Sequence, residues 1–405
     1  MIAASSMIMS NTRRNIWLVG VSFVLFQFFM QLSSGVIIGA IMDEMQLTAL
    51  AAGFLGSSLY IVYTILQIPV GILFDRKNSR LLLSVNALLC SVGCTLFASS
   101  YSLTSLFVGR LLIGTGSAFA FVGLSHLLRQ HYPLRRFAFM IGLSETLAFF
   151  VTVVAMISLG ELLSLWGWRN FIKTAGFLGC FISFLCWKFI PDSTPPKPAI
   201  NYKVQVLDIL KNGKAWINGL FVGLSFTVVT VFGALWAVPF IQVKLSCTLP
   251  QATIIGAMFF LGAGISCPLF GYLACKFSRR KPLILLSCAS TLALLLVIIY
   301  SPIQNGVFLS MLMCAMGICC GAYMLAYTIA NELAPTHSLS TCTGFTNTLA
   351  ILSAPLLQPL TGYILDVVSV TDKYTTLDFQ KALITVPISL FLAGVLVLFL
   401  PEKKA

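Results

Sequence analysis

Twelve apolar runs, each long enough to cross a lipid hydrocarbon core as a helix, constrain this chain more than any other feature. A core about 30 Å thick needs roughly twenty residues at about 1.5 Å per residue. A helix also satisfies its own backbone polar groups, as lipid requires. The runs lie at 16–42, 48–74, 80–100, 103–128, 137–160, 169–190, 215–240, 251–275, 282–300, 304–330, 340–366 and 378–400. With 58% hydrophobic and 9% charged residues over 405 positions, the apolar surface exceeds what a water-soluble core can hide. The expected fold class is an all-α membrane protein of twelve transmembrane helices, with the lipid bilayer as its solvent.

A net charge of +13 would suit nucleic acid if the basic residues formed one domain. They sit instead in short clusters between the runs, so no nucleic-acid partner is expected. Arg13 and Arg14, Arg76, Lys77 and Arg80, Arg129, Arg135 and Arg136, the middle linker, Lys276 to Lys281 and Lys403 with Lys404 all fall on alternate connections. The positive-inside rule makes that side the cytoplasm and places both termini there, the layout expected of a multi-pass inner-membrane protein. Arg13 and Arg14 precede the first run as in a signal peptide, but the run is too long for a signal core and has no Ala-x-Ala-like exit, so it reads as the first helix.

The twelve cysteines lack metal-ligand spacing and lie mostly within apolar runs, which implies packing roles, no metal and no cofactor. His126, His131 and His337 stand near helix ends, away from any acid cluster or nucleophile, so no enzyme is expected.

Pro191 to Pro198 and the polar stretch through Lys214 cannot continue a spanning helix. The expected domains are therefore 1–190, a linker at 191–214, and 215–405. The halves repeat: Gly71-Ile-Leu-Phe-Asp75-Arg76-Lys-Asn-Ser-Arg80 is echoed 200 positions later by Gly271-Tyr-Leu-Ala-Cys275-Lys276-Phe-Ser-Arg-Arg280, and Pro133, Gly142 and Glu145 return as Pro335, Gly344 and Asn347. Two six-helix bundles of like topology place a site at their interface.

Ionisable residues inside a membrane helix cost several kcal/mol unless paired or hydrated. Arg110 and Glu145 are the two that lie well within the runs. Their axial separation of about 8 Å allows their side chains to meet. Glu145 is the candidate proton-coupling group, with Arg110 as its partner or as the anchor of an anionic substrate. A static buried pair, or a Glu145 that joins a gate, remains an open alternative.

Gly71 to Arg80 resembles the signature between helices two and three of the major facilitator superfamily, Gly-x-x-x-Asp-Arg-x-Gly-Arg-Arg, with Asn78 and Ser79 replacing the family's Gly and first Arg. Gly109-Arg110-Leu-Leu-Ile-Gly114-Thr-Gly116, Gly167-Trp168-Arg169 and Gly362-x-x-x-Asp366 are similar to further family positions. Tyr63 to Gly71 and Gly114 to Gly123 look like the phagosomal nutrient transporter branch of intracellular bacteria, which implies uptake of amino acids or other nutrients, with siderophore carriers among its relatives.

The resemblance implies a cytoplasmic gate of Asp75, Arg76 and Arg80. With Cys275 in place of the second Asp, Glu332 is the substitute partner for Arg279 or Arg280; the alternative is that these charges only set topology. It implies a cavity lined by helices one, four, seven and ten, where Gln27 with Gln31, and Tyr323 with Tyr327, share faces and are candidate substrate ligands. Asn347 and Trp236 are weaker candidates, and interhelical hydrogen bonding is the alternative role for all six. The implied function is alternating-access, proton-coupled uptake of a small polar solute by a monomer. Efflux and a non-transporting sensor on the same fold stay open. The absence of proline from Gly142 to Gly160 departs from drug exporters, and the absence of arginine from 16–42 and 215–240 departs from organophosphate exchangers.

Overall fold

The computed structural model describes residues 2–32, 34–74, 77–192, 207–276, 280–333, 339–369 and 373–401. Among the described residues all regular structure is helical. Eleven helices are long and apolar enough to cross a membrane, and Arg13–Gln31 with Ser34–Met45 make a twelfth, bent by 44°. The first run is thus not the single straight helix that 16–42 suggests. Ser34 Oγ donates to the carbonyls of Met30 and Gln31 at 3.4 and 3.2 Å, competing for the backbone where the helix breaks.

Spans two to four are Ala49–Phe74, Ser79–Ala98 and Leu103–His131. Spans five and six form one run, Leu134–Phe189, interrupted at Gly167, whose φ of 74° suits a residue without a Cβ. Span seven, Gly213–Leu245, contains a buried π-helical segment at Val228–Trp236. Span eight is Leu249–Lys276 and span nine Lys281–Tyr300. Span ten, Gly306–Ala330, tightens to a 3-10 turn at Cys320–Met324. Span eleven is Leu339–Val368 and span twelve Thr376–Val397.

Backbones approach closely where glycines remove the side chain, the usual solution for helices in lipid. A Cβ on Gly114 would stand 2.5 Å from the Leu59 carbonyl oxygen, and one on Gly116 would stand 2.3 Å from that of Asn86, so span four is pressed on spans two and three. Gly262 and Gly317 do the same between spans eight and ten. The halves also share a capping plan. Arg169 Nη1 donates to the Ala98 and Ser100 carbonyls at 2.9 and 2.6 Å, closing span three, while its Nε bonds Glu44 at 2.9 Å. At the position 200 after Glu44, Lys244 Nζ donates to Ile298, Ser301 and Ile299 at 2.6, 2.8 and 3.3 Å, closing span nine.

At the face carrying the basic loops, Arg80 does not reach across to the other half. It bonds the Ile190 carbonyl at 2.7 Å and pairs with Asp192 at 3.7 Å, both at the end of span six. Glu332 takes Arg280 through both guanidinium nitrogens, at 3.0 and 2.5 Å, again within one half. Among the described residues, the partners of Arg80, Arg280 and Glu332 each lie on their own bundle, so these contacts do not tie the two halves together. Asp75, Arg76, Arg279 and the linker at 193–206 lie outside the described residues.

Spans two and eleven, and spans five and eight, join the halves, with Ser34–Met45 packed on the π segment. On the face opposite the basic loops this joint is tight. A Cβ on Gly35, Gly53 or Gly362 would stand 2.6, 2.6 or 2.3 Å from the carbonyl oxygen of Leu235, Gln358 or Ala49 in the other half. Towards the basic face, a Cβ on Gly71, Gly142, Gly271 or Gly344 of the same four helices would meet no described neighbour within 4 Å. Among the described residues, the four joining helices stand apart towards the basic face.

Candidate substrate site

The site is built from two polar clusters inside the apolar bundles. In the upper one, Gly109 sets span four against Phe97 of span three, and Arg110, next in sequence, is directed at the break in span one. Arg110 is 2% exposed, and its Nη2 donates to Ser34 Oγ at 2.6 Å and its Nη1 to the Met30 carbonyl at 3.4 Å. The Phe97 ring lies 5.8 Å from the guanidinium carbon. Gln27 and Gln31 share a face as expected and are hydrogen-bonded to each other, and the Gln31 carbonyl accepts the Tyr60 hydroxyl at 3.2 Å.

The lower cluster crosses between the halves. The Tyr327 hydroxyl donates to Asn347 Oδ1 at 2.7 Å, and Asn347 Nδ2 donates to Gln67 Oε1 at 3.0 Å. Tyr63 lies within reach of Gln67 and Asn347 in the same group. Tyr323 is buried against Phe226, with ring centroids 4.8 Å apart. Glu145 is half-buried and has no hydrogen bond or ion pair to any described residue; it lies within electrostatic reach of Tyr323, Tyr327 and Cys267. Gly142, one turn before it, faces open space, so this side of span five borders the opening.

Arg110 and Glu145 do not pair. Axial depth fixes how far apart two residues lie along the membrane normal but not which way each helix face turns. Arg110 faces span one, and Glu145 faces spans eight and ten. Tyr60 and Tyr63 stand between the clusters, with Tyr60 in reach of Arg110 and Tyr63 in reach of Tyr327. Trp236 is also misplaced as a solute ligand: it is wholly buried, with Nε1 donating to the Gln358 carbonyl at 3.3 Å, in the packing of spans seven and eleven.

Sequence reasoning missed Ser34, Tyr60, Tyr63, Thr64 and Gln67. A signal was available, since 60, 63, 64 and 67 follow the i, i+3, i+4, i+7 pattern of one helix face, a polar stripe along an otherwise apolar span. Three polar atoms here, Gln27 Oε1, Thr64 Oγ1 and Gln67 Nε2, are buried without a protein hydrogen-bond partner.

Two six-helix bundles, joined through spans two, five, eight and eleven around buried polar groups, define the class of two-bundle membrane carriers. The Major Facilitator Superfamily sequence model matches residues 18–359 and 220–405, and the chain belongs to that family. Its known members here are transporters and not enzymes.

Among curated relatives, the chain is 27% identical over 223 residues to the "Probable galactarate/D-glucarate transporter GudP" of Escherichia coli (strain K12), covering 53% of this chain and 49% of that one. The chain therefore spans about half the length of that relative. Another from the same strain, the "Probable galactarate/D-glucarate transporter GarP", is 22% identical over 407 residues, 88% of this chain and 87% of that one. A solved bacterial homolog of the human lysosomal transporter Spinster, inward-facing and unoccupied, superposes with a TM-score of 0.78 at 15% identity, covering 96% of each chain. A D-xylose-proton symporter gives 0.75 at 15% identity, over 96% of this chain and 98% of that one. At these identities the superpositions show the fold alone.

Proposed function

We propose that this transporter takes up a small organic anion together with protons, holding the solute's carboxylate at Arg110 and the coupling proton at Glu145. The observation that carries the reading is Arg110, a guanidinium at 2% exposure whose bonds go to neutral oxygens. The ion pairs among the described residues are Arg80–Asp192, Arg169–Glu44 and Arg280–Glu332, and none of them includes it. A buried cation with no acid beside it favours a bound anion, and its planar fork suits a carboxylate.

Gln27 Oε1, Thr64 Oγ1 and Gln67 Nε2 supply donors and acceptors for solute hydroxyls. The named relatives suggest a sugar acid, and the phagosomal resemblance an amino acid; both carry the carboxylate. In this reading the basic face is cytoplasmic, the membrane is a bacterial inner membrane, and a monomer works with 1–190 and 215–405 as the moving halves around the 191–214 linker.

The test is uptake of labelled D-glucarate, galactarate, amino acids and a neutral sugar into proteoliposomes, with and without an acidic exterior. Carboxylates accumulate only with the gradient, and Arg110→Gln removes that accumulation. Accumulation of the neutral sugar with no carboxylate uptake overturns the anion reading. Solute loss driven by the same gradient overturns uptake in favour of efflux.

A further inference from the structure

Spans two and eleven end on the same spacing, Gly71-Ile-Leu-Phe-Asp75 and Gly362-Tyr-Ile-Leu-Asp366. They run antiparallel, because Asp366, Gln358 and Asn347 meet Ala49, Gly53 and Gln67 in that order. At one end the carboxylate of Asp366 uses both oxygens on the other half. Oδ1 accepts the Ala49 N–H at 2.9 Å and Oδ2 the Leu50 N–H at 2.7 Å. Tyr374, just before span twelve, donates its hydroxyl to Oδ1 at 2.6 Å and accepts a second contact from Ala49 N–H at 3.1 Å. Thr48 Oγ1 takes the Ala51 N–H at 3.2 Å.

A helix leaves its first N–H groups without internal partners, and its N-terminus carries partial positive charge. Two of the first three donors of span two are therefore satisfied by an anion from the opposite bundle. One turn below, Gly362 and Gly53 bring the two backbones together as described above. At the other end of the same helix pair, a Cβ on Gly71 or Gly344 would meet no described neighbour within 4 Å. The contact is closed at the Asp366 end and open at the Gly71 end.

We propose that Asp366 is the gating residue of the face opposite the basic loops: it bolts the first turn of span two to the end of span eleven while the basic face is open, and its release opens the solute site to the opposite face. Asp366 acts as a positioning residue, since it touches the partner half and not the solute. The proposal rests on the two-bundle transporter fold and not on the solute assigned above. A conformational readout that needs no solute keeps the two separable.

The test is amide hydrogen exchange of the full chain in lipid nanodiscs, wild type against Asp366→Ala. The expected result is about tenfold faster exchange over 46–56 and also over 228–240, which Asp366 does not touch, with about threefold slower exchange over 134–142 and 264–274 as the basic face closes. Asp366→Asn, which keeps one acceptor oxygen, falls between. Faster exchange confined to 48–52, with the basic-face segments unchanged, makes Asp366 a static cap and overturns the proposal. If Asp366→Ala does not fold, Gly53→Ala strains the same crossing from below and produces the same redistribution; unchanged basic-face exchange in that variant overturns it equally.

Discussion

Arg110 Nη2 donates to Ser34 Oγ at 2.6 Å, so the buried cation of span four is held at the break in span one. Hydrogen bonds to a charged group are worth about 1.5–3 kcal/mol. Ser34→Ala should therefore raise KM for an anionic solute by about tenfold while leaving kcat near wild type, and Arg110→Gln should lower kcat/KM by about a hundredfold or more. Arg110→Lys keeps the charge but loses the fork and should not restore wild-type affinity. Initial uptake rates against solute concentration measure all three.

Glu145 faces Tyr323, Tyr327 and Cys267 and has no basic partner among the described residues. Glu145→Gln preserves shape and removes the proton. Uptake driven by a pH gradient should fall to its gradient-free level, while solute exchange at equal pH continues. Wild-type gradient dependence in this variant would remove Glu145 from the coupling step.

Lys244 is buried, and its ammonium serves three carbonyls at the end of span nine. Lys244→Met strips the Ile298 carbonyl of its donor, while Gln380 Nε2 still serves Ile299 and the Ile303 N–H still serves Ser301, and should destabilise by about 1–3 kcal/mol, read as a lower Tm in detergent. Glu332 at the membrane edge is exposed, so Glu332→Gln should cost no more than about 1 kcal/mol despite breaking a two-pronged ion pair.

Glycines should divide by what they face. Gly116→Val places new atoms where a Cβ already falls 2.3 Å from the Asn86 oxygen, and should abolish monodisperse protein on size exclusion. Gly142→Ala, with nothing within 4 Å, should leave expression and thermal stability unchanged.

Burial and then the hydrogen bond and charge of Asp366 push the Tyr374 phenol up to about 12, from an ordinary value near 10. A raised value means that the neutral phenol is the form the fold favours, so its contribution is complete below about pH 10 and is lost as pH rises through about 12. The Tm difference between wild type and Tyr374→Phe should be constant from about pH 6 to 9 and shrink above about pH 10.

The site was only partly legible. Gln27 with Gln31 was readable because both lie four apart on one helix, and Arg280 with Glu332 because both close neighbouring spans at the same face. The pairing of Arg110 with Glu145 was not, since it depended on the rotation of spans four and five about their axes. Trp236 looked like a lining residue by helix number alone, yet the π segment turns it into the joint with span eleven. Tyr60, Tyr63 and Gln67 went unread although their spacing was visible, because the family resemblance places the cavity on helices one, four, seven and ten.

Hydrophobic length and the placement of basic clusters are local quantities, so the sequence by itself determined the twelve spans, the two-bundle repeat and the face on which the charges gather. What only the tertiary structure decided is which side chains meet: Arg110 with Ser34, Asn347 with Gln67, Asp366 with the first turn of span two. Those contacts join residues as far apart as 317 positions, and they follow from where glycines let backbones touch and from how each helix is turned by its neighbours, neither of which any single span encodes.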